Sequence, residues 1–197
     1  MIEQTNQGSA ASRNTGITVA QGEYILPLDS DNRIRPAYIY KSIEVLDRFP
    51  DVAVVYGDVE FFGEEMGICQ VPDFNLLWLV NHNYIDNCAV FRKSVWEECG
   101  FYDVKIPYIG FEDWDLWLSI AKRGYKLHHI PEVLFDYRVR LISVSTSSRG
   151  EEKAKLISRY IASKHAALFP KEFRYYYKLY RGWLKIWNAF QSILIFV

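Results

Sequence analysis

Short apolar runs alternate with helix-type hydrophobic patterns along most of this chain. The clearest helix pattern covers residues 112–123, where apolar side chains recur at i, i+3, i+4 and i+7 before Gly124, a residue that favours a helix end. The runs at 23–28 and 52–62 are continuous and bounded by turn-forming residues, which is typical of buried strands. Strands that alternate with helices predict an α/β fold, with a mostly parallel sheet flanked by helices.

The same patterns divide the chain into two parts. We expect residues 1–148 to form the α/β domain and residues 149–197 to form a C-terminal helical extension, which begins in a Ser-rich loop over 142–150. Pro170 separates the two helices expected in the extension. The predicted helices cover residues 8–20, 36–49, 76–80, 94–99, 112–123, 151–168 and 171–192, and the predicted strands cover residues 23–28, 52–62, 87–91, 125–130 and 133–137.

Composition excludes several classes of protein. The formal net charge of −1 over 197 residues gives no overall attraction to nucleic acid. The three cysteines, Cys69, Cys88 and Cys99, lack the spacing of a zinc site or a disulfide framework, and they suit a reducing compartment. The sequence shows no signal peptide and no run of about 20 apolar residues. We therefore expect a cytoplasmic protein that does not bind nucleic acid.

A polar cluster, Asp29-Ser30-Asp31, directly follows the first predicted strand. In open α/β sheets, ligands bind beyond the carboxyl ends of the strands. Two carboxylates one residue apart in a turn can both reach one hard cation, and Mg²⁺ or Mn²⁺ is commonly held by such carboxylates together with substrate phosphates. The cluster is compatible with a metal site and also with an ordinary polar turn, in which Asp is common.

A second acidic cluster, Glu112-Asp113, begins the strongest predicted helix. Carboxylates in a first helical turn interact favourably with the helix dipole, which accounts for them without a catalytic role. They can alternatively supply a general base in a cleft covered by Trp114. Each acidic cluster, taken alone, leaves its function open.

Taken in order, the two clusters and several segments between residues 8 and 147 resemble the family-2 glycosyltransferases, which have the GT-A fold. The first cluster is similar to the DxD motif of that family, and the second is similar to its Glu-Asp motif. The order and spacing of all the segments are more specific than any one of them. The matching segments are residues 6–8, 12–17, 20–25, 28–32, 91–93, 100–103, 112–118 and 137–138.

The resemblance implies an inverting, metal-dependent transfer of a sugar from a nucleoside-diphosphate sugar to an acceptor hydroxyl group, as in the synthesis of surface polysaccharides or glycoconjugates. It assigns Asp29 and Asp31 to the divalent cation, Mg²⁺ or Mn²⁺, and Asp113 to the catalytic base. The implied acceptor is a sugar or a lipid-linked sugar. Substrate contacts are implied for Glu112, Trp114, Arg13, Asn14 and Arg138.

Two departures from the family pattern bear on this expectation. The family often carries a His two residues after its Tyr-Arg pair, where this chain has Arg140. Arginine cannot bind a metal but can bind phosphate oxygens, so Arg140 joins the expected substrate-binding residues. The strand–helix units that normally begin the nucleotide-binding domain are not found before Gly8. We therefore expect an exposed sheet edge able to pair with another chain or a second copy, and the alternative function is a non-catalytic binding or assembly subunit.

The predicted helix over 171–192 combines aromatic and basic residues. Basic amphipathic helices of this kind can lie on membrane surfaces, which would suit a lipid-linked acceptor and a position at the inner face of the membrane. Packing against the domain or against a partner explains the same pattern. The sequence therefore leaves membrane contact through residues 171–197 open.

Overall fold

The computed structural model of the chain describes residues 2–141 and 151–168. Helices and strands alternate in these residues, which confirms the α/β class. The helices are α1 (Ser9–Val19), α2 (Ala37–Arg48), α3 (Leu76–Asn81), α4 (Lys93–Glu98), α5 (Glu112–Lys122) and α6 (Glu151–Lys164), followed by a 3₁₀ turn at Ala166–Leu168. The strands are β1 (Tyr24–Ile25), β2 (Arg33–Ile34), β3 (Val52–Gly63), β4 (Gly67–Cys69), β5 (Val90–Arg92) and β6 (Lys126–Val139).

The strands form one sheet in the order β1-β5-β3-β6-β2, with β4 paired to β3. The long central pair, β3 and β6, is parallel. The shorter pairs β1–β5, β3–β5, β2–β6 and β3–β4 are antiparallel. The sheet is therefore mixed rather than mostly parallel as predicted. Alternation of strands and helices does not fix strand direction: a parallel crossover usually runs through a packed helix, whereas β5 follows the six-residue α3 and returns antiparallel to β3.

The two strands predicted at 125–130 and 133–137 are one continuous strand, β6. Pro131 has no N–H group to donate to a ladder, and the pairing of β6 with β3 shifts register at this point, directly after Gly57. The irregularity is a β-bulge that lets the strand continue past the proline. Gly57 fits opposite the bulge because a Cβ atom there would lie 2.9 Å from the carbonyl oxygen of Glu132.

Helix α5 is buried along most of its length, including all of residues 112–120. One side packs on the sheet, where the rings of Trp117 and Phe91 meet edge to face at a centroid distance of 5.9 Å. Helices α3 and α4 also contact α5. Because protein interiors are closely packed, a helix enclosed in this way cannot shift without disturbing its neighbours. The core therefore fixes the acidic residues at the beginning of α5.

A buried ion-pair network fastens α6 to α5. Asp115 Oδ2 lies 2.7 Å from Lys164 Nζ, and Asp115 Oδ1 lies 2.8 Å from His165 Nε2. Lys164 also binds Asp103, whose carboxylate accepts a hydrogen bond from the hydroxyl group of Tyr160 at 2.7 Å. Asp115 is 1% exposed, and the Lys164 charge together with the hydrogen bond to His165 provides the compensation that a buried carboxylate needs.

Several sequence-based expectations concern residues outside the described ranges. The predicted loop over 142–150 and the predicted helix over 171–192 lie there, so membrane contact through residues 171–197 stays a prediction. The domain division after residue 148 and the cytoplasmic location also stay predictions. Within the described ranges, no helix has the length and apolar character needed to cross a membrane. The sheet ends on β1 and β2, which have two residues each, and pairing of a sheet edge with another chain stays a prediction as well.

Candidate active site

Arg13 connects the two acidic clusters. It lies in α1, and its guanidinium group binds Asp29 Oδ1 through Nη2 at 2.7 Å and Glu112 Oε1 through Nη1 at 2.5 Å. Burial opposes the charge of Arg13, but the two carboxylates hold its pKa above the ordinary value. A guanidinium group is a rigid fork that can donate to two carboxylates at once. Two motifs that are 83 residues apart in sequence, at positions 29 and 112, thus belong to one site.

Glu112 is fully engaged by its neighbours. Its Oε2 atom accepts backbone hydrogen bonds from Gly110 at 2.8 Å and from Phe111 at 3.0 Å, and its Oε1 atom accepts one from the hydroxyl group of Ser9 in addition to the Arg13 contact. Burial alone would raise the pKa of Glu112, but these hydrogen bonds and the Arg13 charge together hold it below the ordinary value. Glu112 is therefore a charged anchor rather than a group that takes up protons near neutral pH.

Asp113 has the opposite character. It is 8% exposed, and its Oδ1 atom accepts hydrogen bonds from Asn83 Nδ2 at 3.0 Å and from the backbone N–H of Trp114 at 2.7 Å. Burial raises its pKa to about 7, with further contributions from the negative charges of Asp86 and Glu112. A carboxylate whose pKa lies near the working pH is suited to general-base catalysis. Asp113 is the described residue best matched to that role.

Two of the predicted substrate contacts have their polar groups occupied by the protein. The indole N–H of Trp114 donates to the carbonyl oxygen of Leu79 at 2.5 Å, and the side chain is buried. The amide of Asn14 donates to Tyr102 O and accepts from Tyr102 N, both at 2.9 Å. Trp114 and Asn14 thus hold loops in place, and direct contact of either with substrate stays a prediction.

The end of β6 meets the Asp29–Asn32 loop. Arg140 Nη2 lies 3.1 Å from Asp31 Oδ2, and Arg138 Nε donates to the carbonyl oxygen of Asp31 at 3.4 Å. The backbone N–H of Arg138 donates to Asn32 Oδ1 at 3.0 Å, which ties strand and loop together. The Arg140 side chain is 53% exposed. Both arginines therefore lie where a phosphate group bound at this loop would find positive charge.

The donor set at this loop fits a divalent cation shared with a substrate. The side chains of Asp29 and Asp31 are 48% and 32% exposed, and an arginine lies against each carboxylate. In the part of the chain that the structure describes, no group of three or more His, Cys, Asp or Glu side chains is arranged to hold a metal. Mg²⁺ and Mn²⁺ commonly use one or two carboxylates and complete their shell with phosphate oxygens and water. Two carboxylates of this kind are compatible with a cation that arrives with a diphosphate, and metal binding by Asp29 and Asp31 stays a prediction.

Asp86 is a site residue that the sequence analysis missed. Removal from water raises its pKa to about 6, and the negative charge of Asp29 contributes in the same direction. It lies just before β5, and β5 is antiparallel to β1. The chain entering β5 therefore runs beside the chain leaving β1, which leads to Asp29. In the parallel sheet expected from sequence, the start of a strand would lie at the opposite edge, so the misassigned direction hid this residue.

Asn83 was missed for a different reason. It lies between α3 and β5, in a stretch without helical or strand periodicity. The signal that was available is chemical: an amide side chain can donate to a carboxylate. Nothing in the one-dimensional pattern indicates which carboxylate it reaches, and the structure shows that it is Asp113.

A surface groove lies between α1 and β1. Its lining includes Ile17 and Ile25 at apolar positions and Arg13, Asp29 and Ser30 at polar positions. The groove therefore runs from the start of the sheet to the first acidic cluster. Binding sites for small molecules commonly combine an apolar lining with a few polar groups that fix orientation.

Comparison with known proteins gives a consistent result. The sequence model for Glycosyl transferase family 2 matches residues 1–100. An uncharacterized glycosyltransferase from Haemophilus influenzae is 36% identical in an alignment of 163 positions that covers 77% of this chain and 54% of that protein. The Escherichia coli UDP-Glc:alpha-D-GlcNAc-diphosphoundecaprenol beta-1,3-glucosyltransferase WfaP is 28% identical over 147 residues, which are 74% of this chain and 57% of WfaP.

A solved structure agrees with the fold. Residues 1–349 of Staphylococcus aureus TarS in complex with UDP-GlcNAc superpose on 85% of this chain with a TM-score of 0.63 and 16% sequence identity, covering 51% of that structure. At this level of identity the likeness concerns the fold, and it confirms the expected GT-A-like arrangement. This chain spans about half the length of the two relatives and of that TarS fragment.

Proposed function

This chain belongs to Glycosyl transferase family 2, and we propose that it transfers a sugar from a nucleoside-diphosphate sugar to an acceptor hydroxyl group with inversion at the anomeric carbon. The observation that carries the proposal is the position of Arg13, which holds the Asp29 loop and the beginning of α5 together. The residues suited to a diphosphate and the residue suited to a base are thereby parts of one site. The names of WfaP and of the amylovoran biosynthesis glycosyltransferase AmsE further suggest a role in polysaccharide or glycoconjugate synthesis.

Asp113 is the proposed base. Its carboxylate takes the proton of the acceptor hydroxyl group while that oxygen attacks the anomeric carbon. The bond from the anomeric carbon to the diphosphate oxygen breaks, and the diphosphate leaves with the electron pair. One displacement from the face opposite the leaving group inverts the anomeric centre.

The leaving diphosphate requires positive charge. Arg138 and Arg140 lie against the Asp31 loop, and an arginine can bind two phosphate oxygens at once. Asp29 and Asp31 would hold a Mg²⁺ or Mn²⁺ ion, which would supply charge neutralisation for the diphosphate when bound. Glu112 contributes indirectly, since it fixes Arg13, and through Arg13 it fixes Asp29.

Calorimetric titration of the full chain with UDP, UDP-GlcNAc and GDP, with and without Mn²⁺, tests the proposal. We expect Mn²⁺-dependent binding of at least one of them that is lost in Asp31→Ala. Asp51→Ala is the matched control, because Asp51 is an exposed carboxylate in the turn before β3, paired with Lys126. Failure of the unchanged chain to bind any of them, or equal binding by the two variants, would contradict this function and favour the non-catalytic binding or assembly role.

A further inference from the structure

The two carboxylate oxygens of Asp113 have unequal surroundings. Oδ1 accepts two hydrogen bonds, from Asn83 Nδ2 at 3.0 Å and from the Trp114 backbone N–H at 2.7 Å. Among the described residues, no donor is hydrogen-bonded to Oδ2. Two bonds to one oxygen fix the rotation of the carboxylate group and leave the other oxygen available to a ligand.

The segment that carries Asn83 is fastened to α5 on both sides. The indole N–H of Trp114 donates to the carbonyl oxygen of Leu79 at 2.5 Å, and the indole N–H of Trp117 donates to the carbonyl oxygen of Ile85 at 3.1 Å. Both indoles belong to α5, the helix that begins with Glu112 and Asp113. The distance between Asn83 and Asp113 is therefore set by two buried hydrogen bonds and does not depend on the fit of a loose loop.

The orientation of the Asn83 amide follows from chemistry. An ionised carboxylate only accepts hydrogen bonds, so the NH₂ group of Asn83 must face Asp113. Asn83 Oδ1 is buried and has no hydrogen-bond partner among the described residues. Among the described residues, Asp113 is thus the one hydrogen-bond partner of the Asn83 side chain. This argues against a role of Asn83 in holding the surrounding loop.

We propose that Asn83 is a positioning residue for Asp113: it holds Oδ1 and so leaves Oδ2 as the oxygen that takes the acceptor proton. The proposal rests on the proposed function. In the reaction, the acceptor O–H bond breaks and its proton binds Asp113 Oδ2. The acceptor oxygen forms a bond to the anomeric carbon, and the diphosphate leaves with the electron pair of the broken bond.

The charges around Asp113 give Asn83 a measurable effect. Asp86 faces Asp113 from the segment before β5, Glu112 precedes it on α5, and Tyr102 faces it from the segment after α4. Burial and the two carboxylates raise the pKa of Asp113, whereas the Asn83 hydrogen bond favours the ionised form and lowers it. Loss of the amide must therefore raise the pKa of Asp113 further.

Carbon-13 NMR titration of aspartate-labelled full chain measures this directly, with the Asp113 signal assigned by its absence in Asp113→Asn. We expect Asn83→Ala to raise the titration midpoint of Asp113 by about one pH unit, because hydrogen bonds to charged groups are among the stronger ones. Asn83→Asp, which has nearly the same shape, should raise it more, since it removes the donor and adds a negative charge. Near-ultraviolet circular dichroism of the buried tryptophans shows whether each variant folds. If Asn83→Ala does not fold, the Asn83→Asp variant decides the test.

Asn81→Ala is the matched control. Asn81 ends α3, and its side chain donates to the carbonyl oxygen of Leu77 and not to Asp113. Its removal should leave the Asp113 midpoint unchanged. An Asp113 midpoint in the Asn83 variants equal to that in Asn81→Ala would overturn the proposal.

A second measurement separates this proposal from the proposed function. Release of UDP from UDP-GlcNAc, with water as the acceptor, is followed as a function of pH. In Asn83→Ala the acidic limb of the profile should move to higher pH together with the NMR midpoint, and an unmoved limb would count against the positioning role. Absence of UDP release by the unchanged chain would count against the proposed function, while the NMR titration still decides whether Asn83 sets the protonation of Asp113.

Discussion

Asp113 and Asp115 lie two residues apart in the first turn of α5, and both are buried, but the side chains around them carry opposite charge. Asp113 faces the negative charges of Asp86 and Glu112, whereas Asp115 is paired with Lys164 and His165. One helical turn thus supplies a carboxylate able to take up a proton and a carboxylate that fastens the next helix. The surroundings, and not the residue type, separate the two roles.

Replacement of Asp113 by Asn should strongly slow transfer and stabilise the fold at alkaline pH. Loss of a general base typically lowers kcat by a factor of about 10²–10⁴. The pKa of Asp113 is raised to about 7 in the folded chain, from an ordinary 3.8. Between these values the folded state binds a proton that the unfolded state has lost, so stability falls as pH rises through this window.

The amide introduced by Asp113→Asn would carry no charge and would avoid this loss of stability. Urea unfolding at pH 8 should show Asp113→Asn to be more stable than the unchanged chain by a few kcal/mol, since one pKa unit corresponds to about 1.4 kcal/mol. The difference should shrink toward zero near pH 4. A constant difference at both pH values would show that Asp113 does not titrate in this window.

Replacement of Asp86 by Asn should lower the pKa of Asp113. After burial, the negative charge of Asp86 contributes most to raising the pKa of Asp113. The acidic limb of UDP release from UDP-GlcNAc should accordingly move to lower pH. Asp51→Asn, which removes a charge from the exposed turn before β3, should leave that limb in place; the same displacement in both variants would indicate a general charge effect.

Replacement of Arg13 by Lys should weaken cation binding without removing a cation ligand. A lysine ammonium group cannot donate in the forked geometry that reaches Asp29 and Glu112 together. Residues that orient metal ligands typically contribute about 10–100-fold to affinity. Calorimetric titration with Mn²⁺ in the presence of UDP should show a loss in that range. An unchanged affinity would mean that Arg13 does not hold Asp29 for the cation.

Removal of the Asp115 carboxylate should loosen α6. Asp115→Ala leaves the buried His165 and the half-buried Lys164 without their shared partner. Breaking a buried ion pair on one side typically costs about 3–5 kcal/mol of unfolding free energy. Urea unfolding measures it, with Asp51→Ala as an exposed ion-pair control that should have little effect. Equal effects of the two variants would show that the α5–α6 network contributes no more to the free energy of unfolding than an ion pair on the surface does.

A side chain at position 57 should disturb the centre of the sheet. A Cβ on Gly57 would overlap the side chain of Leu134 and approach Glu132 O at 2.9 Å, and overpacking of this kind typically costs about 1–3 kcal/mol. Gly16→Ala is the matched control, because nothing lies within 4 Å of a Cβ there and Ala favours a helix over Gly. Thermal unfolding should separate the two, with a lower Tm for Gly57→Ala and an equal or higher Tm for Gly16→Ala.

The sequence sufficed for the parts of the fold that depend on local patterns. The apolar spacing of Trp114, Trp117 and Leu118 predicted α5, and the structure has that helix within one residue of the prediction. Strand direction was predicted less well, because apolar runs such as 23–28 and 87–91 look the same whether they pair parallel or antiparallel. Pairing direction depends on contacts between distant segments, which no local pattern encodes.

The site was predictable to the extent that it is contiguous in sequence. Asp29, Asp31 and Asp113 stand in short motifs, whereas Asn83 and Asp86 acquire meaning from what lies beside them in space. Trp114 illustrates the same limit: its ring is buried and its indole N–H donates to the carbonyl oxygen of Leu79, a contact that no local pattern indicated. Residue type shows which contacts a side chain can make, and the fold selects among them.

The two indole hydrogen bonds from α5 to Leu79 and Ile85 separate a fixed part of this protein from parts that can change. They hold Asp113 and Asn83 in one rigid unit, whose geometry does not depend on the length of the neighbouring turns. The exposed segment at 64–70 takes no part in these bonds, so substitutions there should leave the spacing of Asn83 and Asp113 as it is.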